Sequence, residues 1–353
     1  MSLLKFYQSI STATSPGKLF AAFLLATLSF KTHAQMRTTD DTLAPIKDVV
    51  KHSQFSPNVR IGPEWKKPRG VGIGFLKPSE RNIVPEYRSQ TTEIVVEQNK
   101  LFNPLLILHS KQPTTVLITA LLNYQQTSFT LDNREGLLHE VTIQPGGDYE
   151  IPISLNINHC GYHDLIIAAF IDPYNSSMDN HYRASRSGRV AGRRTVIHKR
   201  GCDTINNNLP ATLKGSPVPK DIRLNLNANF AKVSIDEHPS QLNQQLYTDT
   251  LSSGSPYQLR SWVSNLNGRS ASDYALMFFH NYRQIKIKKR SALKFHLHPD
   301  EEFTSLLSTE EALTQGIHQL QTIHVFDPYR SILEGEVRAA FVFSSPRIAI
   351  QAR

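Results

Sequence analysis

The chain has 353 residues, which is more than one ordinary domain needs and enough for two. Hydrophobic residues make up 39% and charged residues 20%, a composition that excludes disordered and collagen-like chains. The two cysteines exclude a multi-cysteine zinc module and a disulfide-dense scaffold, and the formal net charge is +9.

The N-terminus has the pattern of a secretory signal peptide. Lys5 and Lys18 precede a twelve-residue apolar run, Leu19–Phe30, with no acidic residue before it. A helix needs about 20 residues to cross a bilayer, so this run fits the apolar region of a signal instead. We predict a signal peptide over residues 1–34, with an uncleaved anchor as the alternative. The mature chain is then soluble, without a transmembrane span, and periplasmic, extracellular or at the cell surface.

Export changes the meaning of the two cysteines. In an oxidising compartment Cys160 and Cys202 can pair, and closing a loop of about 40 residues would stabilise the fold by roughly 3–4 kcal/mol. The alternative is a catalytic cysteine near His159 and His163, but no family signature surrounds Cys160. A structural disulfide is therefore the prediction.

Residues 35–90 show no sustained period and are interrupted by six prolines, which predicts an extended leader. After residue 90, β-branched and aromatic runs alternate with turn residues, as in an antiparallel sandwich. The predicted strands are Thr91–Glu97, Leu105–His109, Thr115–Tyr124, His139–Ile143, Tyr149–Leu155, Leu165–Ile171 and Thr195–His198.

The second half of the chain repeats the first. Four landmarks recur at offsets of 158, 154, 155 and 155 residues, which is hard to obtain by chance and predicts an internal duplication. The paired landmarks are Asn123-Tyr124 with Asn281-Tyr282, Pro145 with Pro299, Gly161 with Gly316, and Asp172-Pro173-Tyr174 with Asp327-Pro328-Tyr329.

A polar, proline-containing stretch at 203–221 is the predicted linker between domains 91–202 and 222–353. The pattern is similar to tandem immunoglobulin-like modules of exported proteins. The predicted fold is all-β: two tandem antiparallel immunoglobulin-like β-sandwiches from an internal duplication, preceded by a signal peptide and an irregular leader.

The repeated landmarks suggest two kinds of role. His163 and His318 hold matching places, and we expect each ring to contact the backbone at a strand corner; a duplicated metal or catalytic site is the alternative. Asp172 and Asp327 suit turns that end strands; the alternative is that these turns present Tyr174 and Tyr329 to a ligand. His296 and His298 face one side of a strand, but nothing fixes a third ligand, so no metal is predicted.

The clearest local anomaly is a basic loop without acidic residues, predicted to be exposed. Arg-rich loops bind phosphate or carboxylate by forked hydrogen bonds, so these residues are candidates for anion binding. The candidates are Arg183, Arg186, Arg189, Arg193 and Arg194.

The sequence does not specify a reaction. It favours an exported, non-catalytic binding or structural protein without a cofactor, whose partner is an unknown protein. The alternative is a module that binds an anionic polymer, such as lipopolysaccharide, acidic glycan or DNA, through the basic loop. A secreted hydrolase with a His/Asp site is a third hypothesis from a different class, although no nucleophile motif is visible.

Overall fold

A computed structural model describes the chain from Thr42 onwards, with gaps. The described residues are 42–60, 70–83, 93–98, 100–183, 190–201, 213–218, 231–234, 246–254, 256–265, 270–287, 289–309, 312–329 and 342–353. Most of them lie in β-strands, and the helical elements among them are one 3₁₀ turn (Pro78–Glu80) and one helical turn (Asn180–Tyr182). No helix among these residues is long and apolar enough to cross a membrane.

The first sandwich consists of a seven-stranded and a six-stranded sheet. Its strands are β1 (Val49–Lys51), β2 (Val59–Arg60), β3 (Val71–Leu76), β4 (Glu93–Glu97), β5 (Leu105–Ser110), β6 (Thr114–Leu122), β7 (Gln125–Thr127), β8 (Phe129–Leu131), β9 (Arg134–Gly136), β10 (Leu138–Ile143), β11 (Gly147–Ser154), β12 (Gly161–Ile171) and β13 (Val190–Arg200). One sheet has the order β1-β10-β6-β12-β13-β4, with β7 on β6. The other has the order β3-β5-β11-β8-β9, with β2 on β11.

The second sandwich consists of an eight-stranded and a four-stranded sheet. Its strands are β14 (Leu213–Lys214), β15 (Ser216–Pro217), β16 (Ala231–Ser234), β17 (Thr248–Leu251), β18 (Gln258–Ser264), β19 (Ser272–His280), β20 (Arg283–Ile285), β21 (Leu293–Leu297), β22 (Glu301–Ser308), β23 (Gly316–Phe326), β24 (Phe343–Ser344) and β25 (Ile348–Ala352). The sheet orders are β14-β21-β19-β23-β25-β17, with β20 on β19 and β24 on β23, and β15-β22-β18-β16.

The two sandwiches have the same topology. In both, the two parallel pairings of the larger sheet lie at its two edges: β1 on β10 and β4 on β13, matched by β14 on β21 and β17 on β25. The predicted landmark strands are β12 and β23, each of eleven residues in the middle of its sheet. The predicted all-β class with two immunoglobulin-like sandwiches is confirmed.

The matching extends into segments predicted to lie outside the domains. Three segments of the predicted extended leader form β1, β2 and β3 of the first sandwich: Val49–Lys51, Val59–Arg60 and Val71–Leu76. Residues 213–217, placed in the linker, form the equivalent β14 and β15 of the second. These strands are two to six residues long and lie at sheet edges, so they carry little of the alternation that reveals a strand in a sequence.

One hairpin distinguishes the copies. In the first sandwich β8 and β9 project between β7 and β10, and β8 pairs with the end of β11. In the second, the segment between β20 and β21 is shorter, and its described residues form a bridge between Ile287 and Arg290. This explains why the repeat offset falls from 158 to 154 residues between the first two landmarks.

The middle strands are buried on both faces, which explains their nearly continuous apolar sequences. In β6, Val116, Ile118 and Ala120 belong to the core of the first sandwich, whereas Leu117 and Leu121 point to its other side. Strands β12, β19 and β23 divide their side chains in the same way. The second buried face lies between the sandwiches.

Cys160 is buried directly before β12, and Cys202 lies outside the described residues. Gly161 pairs with Lys199, so the chain approaching Cys202 runs close to Cys160. This register supports the disulfide, which stays a prediction.

Candidate functional site: the junction between the sandwiches

The outer faces of the two larger sheets pack against each other. Leu117, Leu121, Ile166 and Phe170 from the first sandwich form one hydrophobic cluster with side chains of the second. The buried members from the second are Ala275, Met277, Phe279, Tyr282, Ile323 and Val325. The ring of Phe170 lies 5.5 Å from that of Phe279, edge to face. Burial of this apolar area joins the two sandwiches.

Two equivalent hairpin turns place tyrosines in this junction. Asn123 and Tyr124 between β6 and β7 have φ values of 50° and 68°, and Asn281 and Tyr282 have 45° and 66°. Positive φ at both central residues matches the twist of a two-residue hairpin but is costly for a bulky residue. Both tyrosines are buried. Packing at the junction offsets this backbone cost.

The residues that follow these turns bind each other reciprocally. The backbone N–H of Gln126 donates to Oε1 of Gln284 at 2.6 Å, and that of Gln284 donates to Oε1 of Gln126 at 2.8 Å. Their amide groups also donate crosswise, to the carbonyl oxygens of Tyr282 and Tyr124. Because each residue contacts its own repeat equivalent, the junction has the geometry of a two-fold isologous interface.

Two arginines cross the junction in the same reciprocal way. Arg194 donates to the carbonyl oxygens of Phe326 and Asp327, each at 2.9 Å. Arg347 donates to those of Ile171 and Asp172, at 2.9 and 2.8 Å. Each guanidinium therefore donates hydrogen bonds to two carbonyl oxygens of the other sandwich. These carbonyls lie where a central strand ends and the Asp-Pro-Tyr turn begins.

The equivalence of the two arginines follows from strand register. Thr195 pairs with Leu165 of β12, and Ile348 pairs with the equivalent Leu320 of β23. Arg194 immediately precedes Thr195, and Arg347 immediately precedes Ile348.

On one side of the junction the arginine is paired with an acid. Arg194 forms a forked contact with Asp164, with Nε at 2.9 Å and Nη2 at 3.1 Å, and both side chains are fully buried. Asp164 also accepts from the hydroxyl of Tyr124 and the backbone N–H of Tyr329. Burial opposes the charge of Arg194, but the Asp164 carboxylate prevails and raises the pKa of the guanidinium.

The opposite side has diverged. Gln319 takes the place of Asp164, and its Oε1 accepts from Arg183 at 2.7 Å. Arg183 also donates to the carbonyls of Ser177 and Asn175. Burial, reinforced by the nearby charge of Arg347, lowers the pKa of Arg183 to about 10. A neutral amide with a second arginine thus replaces the buried ion pair.

The rims of the two sides carry opposite charges. Tyr174 donates its hydroxyl to Glu140, whereas its equivalent Tyr329 lies under the Nζ of Lys294, 4.1 Å from the ring centroid. Burial lowers the pKa of Lys294 to about 8, with Asp164 opposing the shift. Glu140 and Lys294 stand at matching register positions, since they pair with Leu117 and Ala275.

The repeated histidines make the predicted corner contact. His163 Nε2 lies 2.8 Å from the carbonyl oxygen of His159, and His318 Nε2 lies 2.7 Å from that of Thr314. Both rings thus reach back four residues to fix the start of a central strand. Burial lowers the pKa of both imidazoles. Asp172 and Asp327 directly follow the ends of β12 and β23, as expected of turns that end strands.

The predicted exposure of the basic loop is wrong for two of its five candidates. Arg183 and Arg194 are each 0% exposed because their guanidinium groups hold the junction together. Arg193 is half-buried, and burial lowers its pKa. Arg186 and Arg189 lie outside the described residues. A run of arginines in the sequence does not distinguish a solvated loop from residues that enter an interface.

Sequence reasoning missed Asp164, Arg347 and Lys294 as members of one site. The repeated Asn-Tyr pairs pointed to the junction, since they are the turns that deliver Tyr124 and Tyr282. Arg347 stands alone in the sequence, and only the alignment of β13 with β25 identifies it as the counterpart of Arg194. Within the described residues, no three His, Cys, Asp or Glu side chains are grouped so as to hold a metal.

No protein-family model and no curated protein matches the chain. Among solved structures, a CARDB domain from Pyrococcus furiosus in complex with di-metal ions is 16% identical and covers 36% of this chain and 93% of that one, with a TM-score of 0.23. Fibronectin(III)-like modules of Clostridium thermocellum CbhA are 9% identical and cover 80% and 94%, with a TM-score of 0.20. The Salmonella enterica SafA pilin in complex with the SafB chaperone is 9% identical and covers 83% and 99%, with a TM-score of 0.22. Neither function nor partner is transferred from these similarities.

Proposed function

We propose that the chain is an exported, non-catalytic binding or structural module in which two sandwiches act as one block at the cell surface or in the periplasm. The observation that carries the proposal is the junction. Three ionisable side chains at the junction form hydrogen bonds with one another or with backbone carbonyls. They are Arg194, Asp164 and Tyr124. Their contacts stabilise a fixed arrangement and leave the sheet edges as binding surfaces.

Export is tested by expressing the whole chain in a bacterium and sequencing the N-terminus of the protein recovered outside the cytoplasm. The expected first residue is Gln35, directly after the predicted signal. Recovery only in the cytoplasm, with Met1 retained, would overturn the proposed location.

The single block is tested by measuring the rotational correlation time of each sandwich through ¹⁵N relaxation. One shared value is expected, because the junction is apolar at its centre and hydrogen-bonded at both rims. Two shorter and different values would show independent sandwiches and remove the structural basis of the proposal.

The other two functions are tested on the same protein. A hydrolase requires that His163→Ala abolish a measured hydrolytic activity, although the carbonyl contact of His163 supports a structural role. Anionic-polymer binding requires heparin affinity that falls steeply between about 50 and 200 mM salt. Arg186 and Arg189 are the residues to replace in that assay, since Arg183 and Arg194 are buried.

A further inference from the structure

A small pocket, partly open to solvent, lies at one end of the second sandwich, between its two sheets. Most of its lining residues are apolar, and the polar ones are Ser308, Thr309, Gln321 and Thr322. The main apolar contributors are Tyr257, Leu259, Phe278, Ile285, Leu320 and Ile348.

The matching place in the first sandwich contains a strand. The side chains of Phe129 and Leu131, from β8, are 2% and 0% exposed and belong to the core. The strand also extends the sheet, because Leu131 and Thr130 pair with Ile153 and Ser154 at the end of β11. Strand β8 therefore completes both the core and the sheet edge of the first sandwich.

In the second sandwich, no described strand takes the place of β8 at this edge. Strand β22 is equivalent to β11, since the N–H of Thr309 donates to Tyr257 as that of Leu155 donates to Phe102, at 2.9 and 3.0 Å. On its outer edge β22 pairs with β15 only at Glu301 and Glu302, and no other described strand continues that edge.

An exposed apolar side chain also lies next to this edge. Leu306 is 53% exposed and stands where β11 has Pro152. Proteins commonly protect free edges with charge or proline, because an unpaired edge is a template for another strand. A sheet edge beside a largely apolar pocket is the arrangement expected of a site for strand addition.

We propose that the outer edge of β22 and the adjoining pocket bind an extended strand of a partner protein. That strand carries large apolar side chains at alternate positions, as Phe129-Thr130-Leu131 does. The proposal rests on the binding role proposed above and gives it a partner chemistry. A second copy of the chain does not fit, because a strand already inside a sandwich has its apolar side chains buried in its own core. A small apolar ligand would fill the pocket but leave the edge unpaired.

The probe is a fluorescently labelled peptide with the sequence of residues 126–132, Gln-Thr-Ser-Phe-Thr-Leu-Asp. The control peptide has serine in place of both the phenylalanine and the leucine. Fluorescence polarisation with the full chain is expected to show saturable binding of the first peptide and at least tenfold weaker binding of the second.

Ile285→Phe fills the pocket and is expected to lower the affinity of the chain for the peptide at least tenfold. Its matched control is Thr127→Phe, at the equivalent end of β7, which should leave the affinity unchanged because β8 already occupies the site there. Hydrogen exchange of the unmodified protein gives a readout that does not depend on the fold of a variant. The peptide is expected to protect the amides of Leu306 and Ser308.

Equal binding of the two peptides, or binding that does not protect β22, would overturn the proposal. So would a solution dimer in which the β22 edges protect each other without peptide. A further outcome is that the peptide does not bind while the exported protein begins at Gln35 and its two sandwiches share one correlation time. In that case the strand site is refuted and the proposed function stands.

Discussion

Replacing Arg194 with alanine tests the junction most severely. The substitution removes two donors from Asp164 and one each from the carbonyls of Phe326 and Asp327. Because Asp164 has no solvent exposure, it is left as a buried charge, and breaking such a pair costs about 3–5 kcal/mol. We therefore expect Arg194→Ala to lower the free energy of unfolding by about 4 kcal/mol.

Two controls separate the lost ion pair from the lost hydrogen bonds. Adding Asp164→Asn to Arg194→Ala removes the orphan charge and should recover about 1–2 kcal/mol, since the penalty of a neutral buried group is smaller. Arg347→Ala removes the equivalent pair of crossing bonds, but Gln319 replaces the acid on that side, so we expect it to cost only about 2–3 kcal/mol. Urea unfolding of the four proteins gives these values. Equal costs for the two single arginine variants, or no recovery with Asp164→Asn, would refute the reasoning.

Three further predictions concern the junction and the core of the second sandwich. Gln126→Ala and Gln284→Ala should each cost about 2 kcal/mol in urea unfolding, because each removes a matching set of crossing bonds; a difference above about 1 kcal/mol would contradict the two-fold geometry. Burial lowers the pKa of His324 to about 3, so its stabilising contribution is complete above pH 6.5 and is lost as pH falls towards 3. Through this group the natural chain should lose about 3 kcal/mol of stability between pH 7 and pH 4.5, a loss that His324→Leu should abolish; an unchanged pH dependence would count against this burial. Burial raises the pKa of Glu302 to about 7, so its contribution is complete below pH 4.5 and is lost as pH rises through 7. Glu302→Gln should raise the melting temperature at pH 8 but not at pH 4, and equal effects at both would exclude the titration.

The repeat was visible in the sequence because its landmarks are turns and corners, where few residue types are tolerated. Gly161 and Gly316, at the starts of β12 and β23, have φ values of 109° and 126°, which other residues rarely adopt. The long central strands were also predicted, because burial on both faces gives runs of β-branched and aromatic residues.

The junction could not be predicted, because sequence periodicity does not show which buried face meets which partner. Outer-face residues such as Leu117 and Ile323 are as apolar as the sandwich cores. Arg183 and Arg194 were noticed for their charge, yet most of their partners are backbone carbonyls, which leave no signal in the sequence. The repeat offset changes between the first two landmarks because the second sandwich has a shorter segment where the first has β8 and β9. That change could be interpreted only after the strands of the two sandwiches were aligned.

The central claim is that the two duplicated sandwiches form one cooperative unit through their larger sheets. Differential scanning calorimetry of the mature chain tests it most directly. We predict one transition whose calorimetric enthalpy equals its van't Hoff enthalpy, as for a single two-state unit. Two resolved transitions, each with about half of the total enthalpy, would show that the sandwiches unfold independently and would contradict the claim.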